Sequence, residues 1–358
     1  FDGNRIRPGC YTGHPCLVNV LENAKAAYID TAFNKTSGES GYGIGDMKWR
    51  QIPQDDDCSF RMFDVFGLWV EDCQTHCHCE KCHTPIRLPN GELLKRPASI
   101  HSMREGDFLS TQFYANGCAM INQVNVYCRR DLRVESIAYM WMTEPPQFNI
   151  SRNYNVRFCP YIRKDYMEPI FAPINDAFYR NINRWGQLDC HFTMYEYTLL
   201  FINSHPIADV LKLDLQAEIE NGRLEEMFFE GGSNLLPDCL ERWVSIQLMW
   251  DPGADVMKLR KHFIRGAFRE AAPDMEKFFF KTFEACYRAG PSNKIEFEME
   301  GQIGRILKMQ PATDGKGGTL LDECTRHLDN ALSSVRHPGS KAILEKYRAW
   351  AKFLDANK

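Results

Sequence analysis

The sequence predicts an α/β chain built on a parallel sheet. Short apolar runs alternate with helical patterns along most of its length. One run, residues 61–70, is apolar at nearly consecutive positions, as in a strand buried on both faces. About five short apolar runs occur, where a complete (β/α)8 barrel needs eight.

Residues 15–33 read as a helix, because Leu17, Val18, Val20, Leu21, Ala24 and Ala27 recur at helical spacing. A Gly/Ser-rich loop follows; its "GYGIGD" succeeds no buried strand, so it is not a nucleotide loop. "RMFDVFGLWV", residues 61–70, is the first buried strand, and a polar loop with Pro and Gly runs on to about residue 106. Residues 110–130 are helical, and "VESIAYMW" and "NVRFCPYI" are strands. A helix ends near "FYRNINRWGQL", ahead of the strand "CHFTMYEYT". "PIADVLKLDLQAEIENG" is a helix with Gly222 as its C-cap, followed by the strand "LEEMFFEGG". From Leu236 onward the pattern is helical, broken at "WDPGAD", "AAPD", "RAGPSN", "ATDGKGG" and "RHPGS". The expected division is a barrel domain over residues 1–290, incomplete at its N-terminus, and a C-terminal helical appendage over 291–358.

Net charge is −4, from 43 basic and 47 acidic residues. That balance gives no electrostatic reason to expect nucleic acid or an anionic membrane as partner. No apolar run is long enough to span a membrane. The chain begins at Phe1, the expectation being a processed or truncated product. Fourteen cysteines are many for 358 residues. They point to an extracytoplasmic protein, periplasmic or secreted, using them as disulfides or cofactor ligands. No Ser nucleophile elbow and no P-loop is present.

In a parallel barrel, chemistry collects where strands end. Three runs end in acids: Glu71 and Asp72 after Val70, Glu196 within "MYEYT", and Glu230 after "MFF". Paired carboxylates are what glycoside hydrolysis requires, one to protonate the leaving oxygen and one to act as nucleophile or activate water. Tyr139, Trp141, Tyr195 and Tyr197 lie near the same ends and could stack on sugar faces. An acid at a strand end is otherwise a helix N-cap or a member of a loop ion pair.

These blocks carry a resemblance. "WVEDCQTHCHCEKC", "IAYMWMTEPP" with "NVRFCP", and "WVSIQLMWDPGADVMKLRKHFIRGAFREAAPDMEKFF" resemble a bacterial glycoside-hydrolase-like family of unknown function (domain of unknown function 4838). That family is related in fold to α-glucuronidases and β-hexosaminidases. The match covers roughly residues 8–288. It implies a (β/α)8-type barrel acting on or binding carbohydrate. It also implies a strand-end Asp followed by Cys-x-Cys-x-x-Cys, here Asp72 with Cys77, Cys79 and Cys82, and an aromatic-acid-aromatic triplet, here Tyr195-Glu196-Tyr197. The strand ending in Glu230 matches a block ending in an acid and a small loop. The family's leading segment, rich in His and aromatics, is not present before Phe1, the expectation being a missing N-terminal segment or a homo-oligomer.

The loop Cys73–His83 supports three readings. Cys79, Cys82 and His83 spell the haem c attachment motif, two thiols for covalent attachment and an axial imidazole. Cys73, Cys77 and His83 could contribute to a tetrahedral zinc site, although structural zinc usually takes two separated pairs of ligands. Disulfides or simple packing are the plain alternative. A Soret band in the absorption spectrum separates the haem reading from the others.

Three functions follow. The first is a glycoside hydrolase with Asp72 and Glu230 as the acid pair and Glu196 assisting, Glu71 lying beside the substrate. The second is a mono-haem c protein on a glycosidase-like scaffold. The third is a non-catalytic carbohydrate-binding protein.

Overall fold

The structure is a computed structural model that describes residues 65–67, 83–98, 107–128, 133–150, 152–160, 163–197, 205–230, 239–289 and 300–356. The helix expected over 15–33, Glu71, Asp72 and the cysteines up to Cys82 lie outside them.

The strands are β1 (Val65–Gly67), β2 (Ile86–Arg87), β3 (Leu93–Leu94), β4 (Arg133–Ala138), β5 (Tyr154–Phe158), β6 (His191–Glu196) and β7 (Glu226–Phe229). The helices are α1 (Asp107–Cys128), α2 (Asp176–Trp185), α3 (Ala208–Ala217), α4 (Cys239–Trp250), α5 (Val256–Phe268), α6 (Ala272–Ala289), α7 (Glu300–Met309), α8 (Leu320–Ser334) and α9 (Pro338–Ala356). One sheet holds β1-β4-β5-β6-β7 in that order, and β2 and β3 form a small antiparallel hairpin. The pairs β1–β4, β4–β5 and β5–β6 are parallel. Between β6 and β7, Glu225 N donates to Phe192 O and Glu230 N to Glu196 O, so the ladder climbs both strands in one direction. The chain is therefore α/β on a parallel sheet, and the five strands of the sheet are the five apolar runs. A closed eight-stranded barrel is not what the described strands form.

Contacts divide the chain into two compact units, residues 1–161 with 183–194 and 224–226, and residues 162–182 with 195–223 and 227–358. In the first unit, Tyr154, Val156 and Phe158 of β5 are fully buried, and so are Phe108, Leu109 and Tyr114 of α1. Tyr114 meets Tyr154 and Trp185 edge-on, at ring separations of 5.5 and 5.2 Å. Gly117 makes this approach possible, because a Cβ there would lie 2.5 Å from the Tyr154 hydroxyl. The Trp185 indole donates to the Thr143 carbonyl at 3.0 Å.

In the second unit, α4–α9 form a helical assembly in which α8 packs on α6 and α9, and α7 on α6 and α9. Tyr347 sits at its centre, with Phe268, Phe278 and Phe279 rings within 5.9 Å. Arg260, buried on α5, makes two bonds to Glu241 of α4, at 2.6 and 2.7 Å, and one to Asp209 of α3 at 2.7 Å. Glu241 also accepts from Ala208 N at 3.0 Å, so a carboxylate from α4 satisfies an orphan amide at the start of α3. The breaks before α5 and α8 are built by caps: Asp255 accepts from Lys258 N, and Thr319 and Asp322 form a capping box.

The helix α3 departs from expectation at its end. It passes into a π-turn, Glu218–Gly222, and the left-handed residue is Arg223 at φ 56°, not Gly222. The wider π-turn holds one residue more than an α-turn, which moves the reversal one position on. Six cysteines fall among the side chains described (Cys118, Cys159, Cys190, Cys239, Cys286 and Cys324), and all six are thiols.

Candidate strand-end site

Neighbouring residues of a strand face opposite sides of the sheet. This sorts the ends of β6 and β7 into two environments, both within the second unit. On one face, the Tyr195 hydroxyl donates to Glu230 Oε2 at 3.0 Å. The Tyr195 ring lies 4.9 Å from that of Phe228 and 5.4 Å from that of Tyr197. Phe228 is 43% exposed, and Tyr195, Tyr197 and Glu230 are half-buried. The result is a surface of three rings, Tyr195 packed between the other two, with a carboxylate held at its edge. The other Glu230 oxygen accepts from no group among the described residues, and no Lys or Arg among them pairs with Glu230.

Glu196 lies between Tyr195 and Tyr197 in sequence and so points to the other face, where it is fully buried. There it acts electrostatically on Arg163, Asp214 and Glu218. Arg163 and Asp214 form a buried ion pair at 2.8 Å. Asp214 also accepts from Ile170 N at 2.8 Å, and Arg163 donates to the carbonyls of Asp165 and Glu168. The Asn175 side chain braces the same loop, accepting from Lys164 N and Asp165 N and donating to the carbonyls of Asp165, Glu168 and Pro169.

Glu218, one helical turn after Asp214, opens the π-turn. It is fully buried, and neither carboxyl oxygen has a hydrogen-bond partner among the described residues. Three buried carboxyls thus share one guanidinium. Desolvation, with Glu196 and Asp214 nearby, pushes the Glu218 carboxyl well above the ordinary range. Burial lifts Asp214 to about 6 against the pull of Arg163. Burial therefore favours the neutral form of the Glu218 carboxyl. Asp214 and Glu218 were not among the residues singled out from sequence. Their only signal is that the two acids stand four apart, on one face of a helix that also carries Asp209, Lys212 and Glu220.

The remaining expected site residues fall elsewhere. Tyr139 and Trp141 lie just after β4 in the first unit, around Met140 at φ 52°. Trp141 is buried and Tyr139 half-buried, so packing already occupies the tryptophan that was expected to stack on a sugar. Close by, Glu144 is buried and takes a 2.6 Å ion pair from Arg184. His83 is exposed. Glu71, Asp72, Cys73, Cys77, Cys79 and Cys82 lie outside the described residues. Among the described residues no group of three or more His, Cys, Asp or Glu could hold a metal ion, and no helix is long and apolar enough to cross a membrane.

The family model described as "Domain of unknown function (DUF4838)" matches residues 61–279. No curated protein and no solved structure matches the chain. The matched span contains β1, β4–β7 and every residue of both strand-end environments.

Proposed function

The chain belongs to the DUF4838 family, and on that premise we propose that it is a carbohydrate-active protein, a glycoside hydrolase acting on an oligo- or polysaccharide. The observation that carries this reading is the 3.0 Å bond from Tyr195 to Glu230, set among the Tyr197 and Phe228 rings. Aromatic faces suit the apolar faces of sugar rings. A carboxylate with one oxygen fixed by a phenol and the other open is positioned to take or give a proton, or to attack a sugar carbon. In this reading Asp72, beyond β1, supplies the partner carboxylate, and the parallel sheet is part of a (β/α)8-type barrel.

A second reading, carbohydrate binding without hydrolysis, is favoured by one fact. Glu196, the strand-end acid next to Glu230 in the ladder, is turned to the opposite face, which leaves Glu230 without it as a second acid. Reducing-sugar release from a glycan panel tests both. Glu230→Gln and Asp72→Asn should each abolish release while leaving the circular dichroism unchanged. Unchanged turnover in both variants ends the hydrolase reading. Binding without release by the wild type supports the second.

A further inference from the structure

We propose that the β6–β7 strand ends recognise an amino sugar, whose ammonium group is read by Glu230 and the rings beside it. This rests on the carbohydrate reading above and narrows its substrate class.

The argument is one of charge. Glu230 is half-buried, one of its oxygens is taken by the Tyr195 hydroxyl, and the other has no protein donor among the described residues. No Lys or Arg among the described residues pairs with it. The stretches that follow the two strands, residues 198–204 and 231–238, contain no Lys or Arg either. Half-buried carboxylates elsewhere in the second unit do find a cation: Asp209 pairs with Arg260, Glu276 with Lys261 and Asp314 with Arg326. Among the described residues, Glu230 has aromatic rings beside it and no counter-ion.

Ring faces attract cations, and they do so more strongly once water is thinned from the site. The Tyr195 ring packs against Phe228 at 4.9 Å and Tyr197 at 5.4 Å, and Phe228 keeps much of its surface open. A carboxylate at the edge of such a surface is the arrangement that binds an ammonium group, the rings holding the apolar sugar face and the carboxylate the charge. A neutral sugar leaves the carboxylate without a counter-charge. A uronic acid brings a second negative charge against it and is rejected.

Titration calorimetry of the full chain with three probes tests this: a glucosamine tetramer, cellotetraose, and an oligogalacturonate of equal length, in mildly acidic buffer. The glucosamine tetramer should bind about tenfold more tightly than cellotetraose, and the oligogalacturonate most weakly. Glu230→Gln should erase the difference between the first two. Phe228→Leu, at an exposed position, should weaken both. Equal affinity for the charged and neutral probes overturns the inference and leaves the carbohydrate reading standing. A preference for glucosamine that survives Glu230→Gln also overturns it, because the charge is then read elsewhere. No binding by any of the three overturns both.

Discussion

Glu196 and Glu230 join through their backbones and part through their side chains. The Glu230 amide donates to the Glu196 carbonyl at 3.0 Å. The Glu230 carboxylate turns to the open aromatic face, where Tyr195 holds it, while the Glu196 carboxyl is buried on the other. Two acids adjacent in a ladder thus answer to different surroundings, and each makes its own predictions.

Removing the phenol that orients Glu230 should cost function more than folding. Tyr195→Phe keeps the ring and loses one hydrogen bond, worth about 1 kcal/mol to stability. Turnover should fall about tenfold if Glu230 is a reacting group held by that bond. Urea unfolding and sugar release, measured on the same preparation, check the split. Unaltered turnover argues that the bond is packing alone.

Stability should fall as pH rises through the mildly acidic range. Asp214 is lifted from its ordinary value to about 6, and Glu218 is lifted well above its own. Between the unfolded and folded pKa values the native state holds protons that the unfolded chain has released, so the slope of stability against pH is negative there. The contribution is fully present below the ordinary carboxyl range and is lost as pH climbs through the folded values. The Asp214 part alone is about 3 kcal/mol. Glu218→Gln keeps the neutral form at every pH and should flatten the upper part of the curve. Urea midpoints across pH show this, and a wild-type slope in the variant refutes it.

Arg260 should be costly to remove alone and cheap to replace with its partner. Arg260→Ala strands Glu241 as an unpaired buried charge and should cost about 3–5 kcal/mol. The double change Arg260→Met with Glu241→Leu removes both charges and should recover most of that loss, although the first turn of α3 gives up the bond from Ala208 N. Chemical denaturation of the single and double variants measures the difference.

Gly117→Ala should destabilise, although alanine is the better helix former by roughly 1 kcal/mol. The added Cβ meets the Tyr154 hydroxyl at 2.5 Å and its ring carbons at 2.7 and 3.0 Å. Overpacking of this kind costs about 1–3 kcal/mol. Tyr154→Phe in the same chain should restore only part, because the ring carbons remain. A stabilised Gly117→Ala, seen as a higher melting temperature, contradicts the contact.

Much of the frame was legible in the sequence for a simple reason. Strands buried on both faces carry apolar residues at positions of either parity, and "VESIA", "NVRF" and "CHFTMYE" show this. The helices after Leu236 were legible through their interruptions, since Pro and Gly mark where winding cannot continue. The site was harder. The triplet Tyr195-Glu196-Tyr197 reads as one cluster along the chain, but a period of two sends its acid away from its rings. Nothing local identifies Arg163, after β5, as the partner of Asp214 in α3. That pairing exists only once the loop after β5 and the helix after β6 have met. Glu218 was hidden by the opposite bias: an acid in a helix reads as solvated unless the fold closes over it.

The cap on α3 has a consequence in time. The amide of Ala208 is satisfied by a carboxylate 33 residues later, and Asp209 waits for a guanidinium 51 residues later. A chain leaving the ribosome exposes the first turn of α3 before either partner has emerged. The helix that carries Asp214 and Glu218 is therefore fastened at its start only after α4 and α5 arrive, and a nascent chain stalled between them would hold that helix by one end.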